Sequence, residues 1–321
     1  MSAIDATALE GLLGALLGDD VHIEVLKDKP GRRRTVRARS RGRALIAKAY
    51  TSQRAPTVAA RVEALAAGPP EPVIPRVERV DPAARVVVFT HVPGRPLGDA
   101  IDRGDVATCR RAGTAVGCWH AAWHHAAPHP LRPHTVGKEL AVLDQRAAHS
   151  TDPIAQEVRR RTPILATPWP CSTVVHRDLY EDQIVIGDEV GLIDLDDAAC
   201  GPPDLDVGNL IAHLTLRSLR HHRPLHAEID AFLDGYRHAG PELVPARLRQ
   251  CTRLSLLRLA CIHAEPALLG AHVDPASPAP SSPGPGRAPR SILVAGRPSL
   301  RPSGPGRPRR RPARPTSPPG W

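Results

Sequence analysis

Residues 21 to 50, "VHIEVLKDKPGRRRTVRARSRGRALIAKAY", alternate apolar and polar positions between two turn signals, "DKPG" and "SRG". A period of two punctuated in this way predicts three antiparallel strands in a meander. Ahead of them, "ATALEGLLGALLG" has the spacing of an amphipathic helix. After them, "APTVAARVEALAAG" has helical spacing and stops at Gly68. "RVVVFTHVPGRPLGDAI" reads as a strand running into a connector punctuated by Pro and Gly. From about residue 104 the helical period takes over, in "VATCRRAGTAVGCWHAAWHH" and "VGKELAVLDQRAAH". Two short apolar strands, "IVI" and "GLI", are then joined by "GDEV". Three more helical stretches follow: "DVGNLIAHLTLRSLRHH", "HAEIDAFLDGYRHAG" and "PARLRQCTRLSLLRLACIHAEPALL". The pattern predicts an α+β chain, a small antiparallel β-rich part followed by a larger, mainly helical one.

Composition changes this picture in three places. Aromatic residues are only 3% of the 321, so the core must be built from small and branched aliphatics. No window reaches the roughly 18 apolar residues of a membrane helix, and no basic segment precedes the first apolar stretch, so the expectation is a cytoplasmic protein without a membrane partner. The six cysteines show no C-x-x-C pair and are expected as separate thiols. The formal charge of +10 suggests nucleic acid until its place is found. Residues 275–321 hold nine Arg, fourteen Pro and no acidic residue, which leaves residues 1–274 close to neutral. The basicity belongs to a tail expected to be disordered, and nucleic acid is not an expected partner of the folded part.

The chemistry concentrates in "VVHRDLYEDQIVIGDEVGLIDLDDAACG", residues 174 to 201. Asp178 sits in a loop, Gln183 enters the first short strand, and Asp194 leaves the second. A tight hairpin between the strands would return Asp194 to the neighbourhood of Gln183. An amide oxygen and two carboxylates would then surround one cavity, a donor set suited to magnesium and to the alignment of a hydroxyl with a phosphate. The blander reading is a hairpin whose acids cap the following helix. Elsewhere, His120 and His124 lie one turn apart with no Glu between them, and are expected as surface or cleft-lining side chains. Trp119 and Trp123 are expected to pack among the helices. Arg32, Arg33 and Arg34 are expected to face water.

These motifs together resemble the aminoglycoside phosphotransferase and choline kinase type of small-molecule kinase, over roughly residues 20 to 265. "HRDLYEDQ" resembles the catalytic loop, "ALIAKAY" the lysine strand, "VVVFTHVPGRPL" the hinge, "AVGCWHAAWH" a helix often ending in Leu-His, and "GPPDLDVGNLIAHL" the segment after the metal-binding acid. The resemblance implies a two-lobed protein-kinase-like fold, with a nucleotide-binding lobe at 1–92, a helical lobe with catalytic loop and substrate site at 93–274, and the tail at 275–321. It implies Lys48 on the α- and β-phosphates, Glu63 pairing with that lysine, and backbone around Thr90 to Val92 on the base. Asp178 becomes the catalytic aspartate and Asp194 a magnesium ligand, with Gln183 where the family usually has Asn. His176 and Asp206 become supports of the loop, and Asp196 a second metal or water ligand. Pro202 departs from the usual Asp, and no G-x-G-x-x-G precedes Lys48.

The expected function is therefore ATP- and Mg2+-dependent transfer of a γ-phosphate, GTP being the alternative donor, to a hydroxyl of a small polar molecule such as an aminoglycoside-like antibiotic, an amino alcohol or a sugar. The altered Gln183 and the missing glycine loop motivate a second reading, a catalytically weak kinase-like protein that binds nucleotide or ligand.

Overall fold

The computed structural model describes residues 5–18, 20–69, 71–148, 153, 157, 168–264 and 267–270; the Pro/Arg-rich tail lies outside these described residues. A first helix, α1 (Ala6–Leu17), is capped by the Asp5 carboxylate on the Ala8 N–H and ended by Gly18 in the left-handed conformation. The predicted meander follows as β1 (His22–Lys29), β2 (Arg33–Ser40) and β3 (Arg43–Tyr50). Next come α2 (Ala55–Ala66), β4 (Val77–Asp81) and β5 (Val86–Thr90), and the five strands form one antiparallel sheet ordered β1-β2-β3-β5-β4. β4 is a finding beyond the sequence reading. It is a half-exposed edge strand, "VERVD", with no alternation to announce it.

Strand parity decides what each face of this sheet does. Val36, Ala38, Leu45, Ala47, Ala49, Val86 and Val88 bury one face against Leu9 and Leu13 of α1. Register pairs Arg33 with Tyr50, Thr35 with Lys48 and Arg37 with Ile46, and these residues share the opposite face with Val87 and Phe89. One face is thus core, and the other carries cations, a phenol and an aromatic ring.

The helical part begins with β6 (Arg95–Pro96), α3 (Leu97–Asp102) and α4 (Val106–Ala122), then α5 (Val136–Ala148). Short strands β7 (Thr173–Val175), β8 (Ile184–Ile186), β9 (Val190–Leu192) and β10 (Ala199–Gly201) frame the motif region. α6 (Asp204–His221), α7 (His226–Ala239) and α8 (Pro245–His263) complete the part. The main core joins α2, α4, α6 and α7 to the β8–β9 hairpin, with Trp119 and Tyr236 among its largest fully buried side chains. Trp119 and Trp123 pack edge to face at 6.1 Å, as expected. Among the described residues no helix is long and apolar enough to cross a membrane.

Two expectations change here. Cys171 and Cys200 are not separate thiols; they form a disulfide, with Cα atoms 5.0 Å apart. The reason is topological, since β10 pairs antiparallel with β7 and runs Cys200 back beside the segment that leads into β7. Cys109, Cys118 and Cys251 are not in disulfides. His120 does not face surface or cleft either, being fully buried on α4.

α4 and α7 cross closely because glycines face backbone on both sides. A Cβ on Gly113 would lie 1.9 Å from the Phe232 carbonyl oxygen, and one on Gly235 would lie 2.0 Å from that of Arg110. Gly235→Ala should therefore force the helices apart and cost about 1–3 kcal/mol in urea unfolding. Gly137→Ala, whose nearest neighbour is the Thr135 hydroxyl at 3.8 Å, should be neutral or mildly stabilising. Equal effects of the two substitutions would show that the α4–α7 contact is not as tight as described.

Candidate active site

The loop after β7 is held from beneath by one buried carboxylate. Asp206, in the first turn of α6, accepts the backbone N–H of His176 at 2.6 Å and that of Arg177 at 2.8 Å. Its Oδ2 also accepts from the Nε2 of His120 at 3.1 Å, and the other ring nitrogen of His120 accepts the Tyr236 hydroxyl at 2.9 Å. Arg177 takes a left-handed φ of 72°, which a β-continuation would not allow, and its tethered N–H holds it there. His176 donates Nε2–H to the Ile193 carbonyl at 2.7 Å, while its Nδ1 faces the N–H of Asp178 at 3.4 Å. Asn209 fixes the far side, donating to the Leu179 carbonyl at 2.9 Å. The Asp178 carboxylate is left exposed, projecting from a braced loop.

The hairpin does what its brevity predicts. Ile184 pairs with Leu192, and the N–H of Ile193 donates to the Gln183 carbonyl at 3.0 Å, so Gln183 and Asp194 flank the same end of it. Both line a cleft of about 500 Å³ between the sheet and the helical part. Asp194 has a left-handed φ of 61°, which turns the chain into the short 3-10 turn Leu195–Asp197. Among the described residues no three His, Cys, Asp or Glu side chains gather in a metal-binding group. A hard cation here would rest on one carboxylate and one amide oxygen with water or phosphate completing it, which suits magnesium more than a transition metal.

The cations of the sheet meet the acids of the turn in this cleft. Lys48 Nζ lies 2.6 Å from Asp194 Oδ1 and 2.6 Å from Asp196 Oδ1. Arg33 grips Asp194 at 3.1 Å and 2.7 Å and also bonds Asp196, whose Oδ2 accepts the Tyr50 hydroxyl at 2.7 Å. Burial alone would raise the pKa of Asp194; Lys48 and Arg33 overcome it and hold the carboxyl far below its usual range. Burial, with Asp196 alongside, pushes the Tyr50 hydroxyl well above its ordinary value.

Three expectations are corrected by this cluster. Glu63 does not meet Lys48: α2 buries Val58, Ala59, Val62 and Leu65, and one further residue of helical rotation leaves Glu63 exposed. Arg33 does not face water. Its side chain is 13% exposed because strand parity puts it beside Lys48. Asp196 is not placed as a metal or water ligand, since its side chain is 3% exposed and both oxygens are taken by Lys48, Arg33 and Tyr50. It occupies, in effect, the place expected of Glu63. The signal for Arg33 and Tyr50 was available in the alternation of β2 and β3; none marked Asp196 over its acidic neighbours.

The other end of the cleft is apolar, lined by Ile46, Val62, Phe89, Val92, Val185 and Leu195. Thr90 lies there too, but its N–H and hydroxyl are both engaged with Arg76, at 2.9 Å each. Asp178 lines an adjoining cavity of about 330 Å³ together with Lys29, Arg33, Arg54, Asp194 and Asp197. The whole is a slot for a flat apolar group, a row of cations and oxygen donors, and an exposed carboxylate beyond them.

A sequence profile of the phosphotransferase enzyme family matches residues 31–250. Among solved structures, a choline/ethanolamine kinase family protein from Mesorhizobium loti is 19% identical, covering 81% of this chain and 86% of its own, with a TM-score of 0.55. An aminoglycoside phosphotransferase from Streptomyces rimosus is 22% identical, covering 79% and 98%, with a TM-score of 0.58, and is also known in complex with ADP and streptomycin. A choline kinase from Streptococcus pneumoniae is 11% identical over 83% and 92%, with a TM-score of 0.56. No curated protein sequence matches significantly. At these identities the structural likenesses establish the fold, and the profile match establishes the family.

Asp196→Asn should leave Lys48 and Arg33 under-neutralised and cost about 3 kcal/mol, the scale of a broken buried ion pair. Glu63→Gln should leave the melting temperature unchanged. A large loss in the Glu63 variant, with none in the Asp196 variant, would restore Glu63 as the partner of Lys48.

Proposed function

The chain belongs to the phosphotransferase enzyme family, and from that premise we propose that it transfers phosphate to an alcohol group, that it uses ATP and magnesium, and that its acceptor is small and polar. The observation that carries this reading is the convergence of Lys48, Arg33, Gln183 and Asp194 on one cleft, with the Asp178 carboxylate exposed beside it. Adenine suits the apolar slot of Ile46, Val62, Phe89, Val92 and Val185, where the backbone of His91 and Val92 would serve the base edge. Thr90 contributes less than expected, its own N–H and hydroxyl being engaged with Arg76.

Asp194 is the counter-ion of two cations in this cleft. Phosphate oxygens arriving on the cation row compete with it for Arg33 and Lys48. Asp196 and Tyr50 keep Lys48 aimed as that exchange occurs, because their bonds lie on the buried side of the lysine. Asp194 so relieved, with Gln183, would hold magnesium, which supplies neutralisation of the charge developing on the phosphates. Gln183 is one methylene longer than Asn, and its buried backbone, bonded to Ile193, lets the amide reach the same cleft. Asp178 accepts the hydroxyl proton of the acceptor and orients its oxygen toward the γ-phosphate. The bracing of its loop by Asp206, His176 and Asn209 fixes that orientation before substrate arrives.

Asp178→Asn should lower kcat by about 10²–10⁴-fold while leaving nucleotide affinity unaltered. Turnover is read with ATP and a panel of small alcohols; undiminished turnover in the variant would remove Asp178 from the chemistry. ATP with magnesium at 100 times its dissociation constant should stabilise the fold by about 2.7 kcal/mol, and EDTA or Asp194→Ala should abolish that gain. Stabilisation by nucleotide without turnover of any alcohol would favour the second reading, a kinase-like binding protein.

A further inference from the structure

A third cavity, of about 340 Å³, adjoins the catalytic loop at Arg177. Its floor is formed by Arg61 of α2 and Arg177 of the loop, and its mouth by the exposed Arg132 and Lys138. Against these four cations the described residues of the lining offer one carboxylate, Asp197, which is already paired with Arg54 at 2.7 Å. His134 also lines the cavity, but its Nε2 is bound to Glu139 at 3.0 Å, and Glu139 in turn to Arg258 at 3.0 Å.

The two floor arginines are incompletely used. Arg61 donates to the Asp196 carbonyl and Arg177 to the Asp197 carbonyl at 3.3 Å, while the Nε of each is buried with no partner among the described residues. Burial, with Arg54 and Arg177 nearby, lowers the pKa of Arg61 from its ordinary value. Half-buried guanidinium groups that line one cavity with donors to spare form an environment that an anion would stabilise and another cation would not.

The cavity's place gives this charge a meaning. Arg177 immediately precedes Asp178 in the chain, and Asp197 lines both this cavity and the one that contains Asp178. A molecule with its hydroxyl at Asp178 can extend past Asp197 into the arginine pocket. We propose that the acceptor is an anionic alcohol, whose phosphate or carboxylate group is held by Arg61, Arg132, Lys138 and Arg177 while its hydroxyl is presented to Asp178. A polycationic acceptor would meet the wrong sign of charge on this wall. The assignment rests on the phosphotransfer reading of Asp178, and it deepens that reading by naming the acceptor class.

Arg132 and Lys138 are exposed and outside the catalytic machinery, so Arg132→Gln/Lys138→Gln leaves the fold intact for the test. With magnesium and a saturating non-hydrolysable ATP analogue present, inorganic phosphate and acetate are titrated into the full-length wild type and the double variant by calorimetry. Turnover is then compared across matched alcohols bearing a phosphate, a carboxylate, no charge or an amine. The proposal expects binding of at least one anion, weakened about tenfold for each cation removed. It also expects anionic alcohols to be preferred through KM, with that preference lost in the double variant and the KM for ATP unchanged. The phosphate and carboxylate arms separate the two kinds of anion. Preference for neutral or amino alcohols would overturn the proposal, as would anion binding or anionic preference that the double variant retains. Absence of anion binding while the ATP analogue binds would also overturn it and leave phosphotransfer standing. Failure of the analogue to bind, with anion binding still dependent on Arg132 and Lys138, would instead bring down the phosphotransfer reading.

Discussion

Everything that makes the site usable depends on the carboxylate of Asp206. A charge buried at the junction of α4, α6 and the catalytic loop is costly unless every lone pair is answered. Here it is answered three times, by the N–H groups of His176 and Arg177 and by the ring of His120, at the favourable end of the α6 dipole. The result is a fixed backbone path in which Arg177 turns left-handed and Asp178 is pushed outward. A loop braced only by apolar packing would have no means of choosing that conformation. Asp206 does not line the cleft; it determines where the neighbouring Asp178 stands. His120, with Tyr236 behind it, links this carboxylate to the α4–α7 crossing, whose close approach requires glycine at Gly113 and Gly235.

The second constraint is electrostatic and joins the two parts of the chain. Lys48, Arg33 and Tyr50 come from one face of the sheet, and Asp194 and Asp196 from the turn after the hairpin. The cluster neutralises its own buried charges and holds two cations in one cleft. Under the proposed function a nucleotide would have to displace Asp194 from both Arg33 and Lys48, which would cost affinity. The two carboxylates share the burden unequally. Asp194, with its side chain 21% exposed, can be given up to solvent or a ligand; Asp196, at 3%, cannot.

Much of this was legible in the residues, and the failures have definite causes. The alternation across residues 21–50 located the meander, and the hairpin spacing brought Gln183 and Asp194 to one cleft, while Asp178, expected beside them, lines the adjoining cavity instead. The resemblance proposed His176 and Asp206 as supports of the loop, and their hydrogen bonds are consistent with that part. Glu63 failed because a motif match does not specify helical phase, and the apolar stripe of α2 turns it to solvent. Arg33 failed because a run of three arginines looks solvated until the register with β3 is considered. His120 failed because burial of a polar ring depends on partners more than 80 residues away, Asp206 and Tyr236, which no local pattern displays. The Cys171–Cys200 pairing likewise depends on the short β7–β10 ladder, three residues long on each side and too brief to predict.

The replacement of a helix glutamate by Asp196 also changes what can govern the lysine. If Lys48 were paired with α2, a shift of that helix would switch its alignment. In this chain its partner Asp196 lies on the 3-10 turn that Asp194 leads into, so lysine and prospective metal ligand are governed by one segment. A turn of three residues per rotation sends successive side chains about 120° apart. Asp196 is thereby directed into the cluster and Asp197 outward to Arg54, while the left-handed Asp194 precedes the turn and faces the cleft. Three nearby acids of the same type thus acquire three surroundings, and their differences come from backbone direction alone. α2 is released from holding the lysine and instead brings Arg61 to the carbonyl of Asp196 and to the floor of the neighbouring cationic cavity. The helix that was expected to carry an acid to Lys48 carries a basic side chain to the neighbouring cavity instead, and the short Leu195–Asp197 turn borders both.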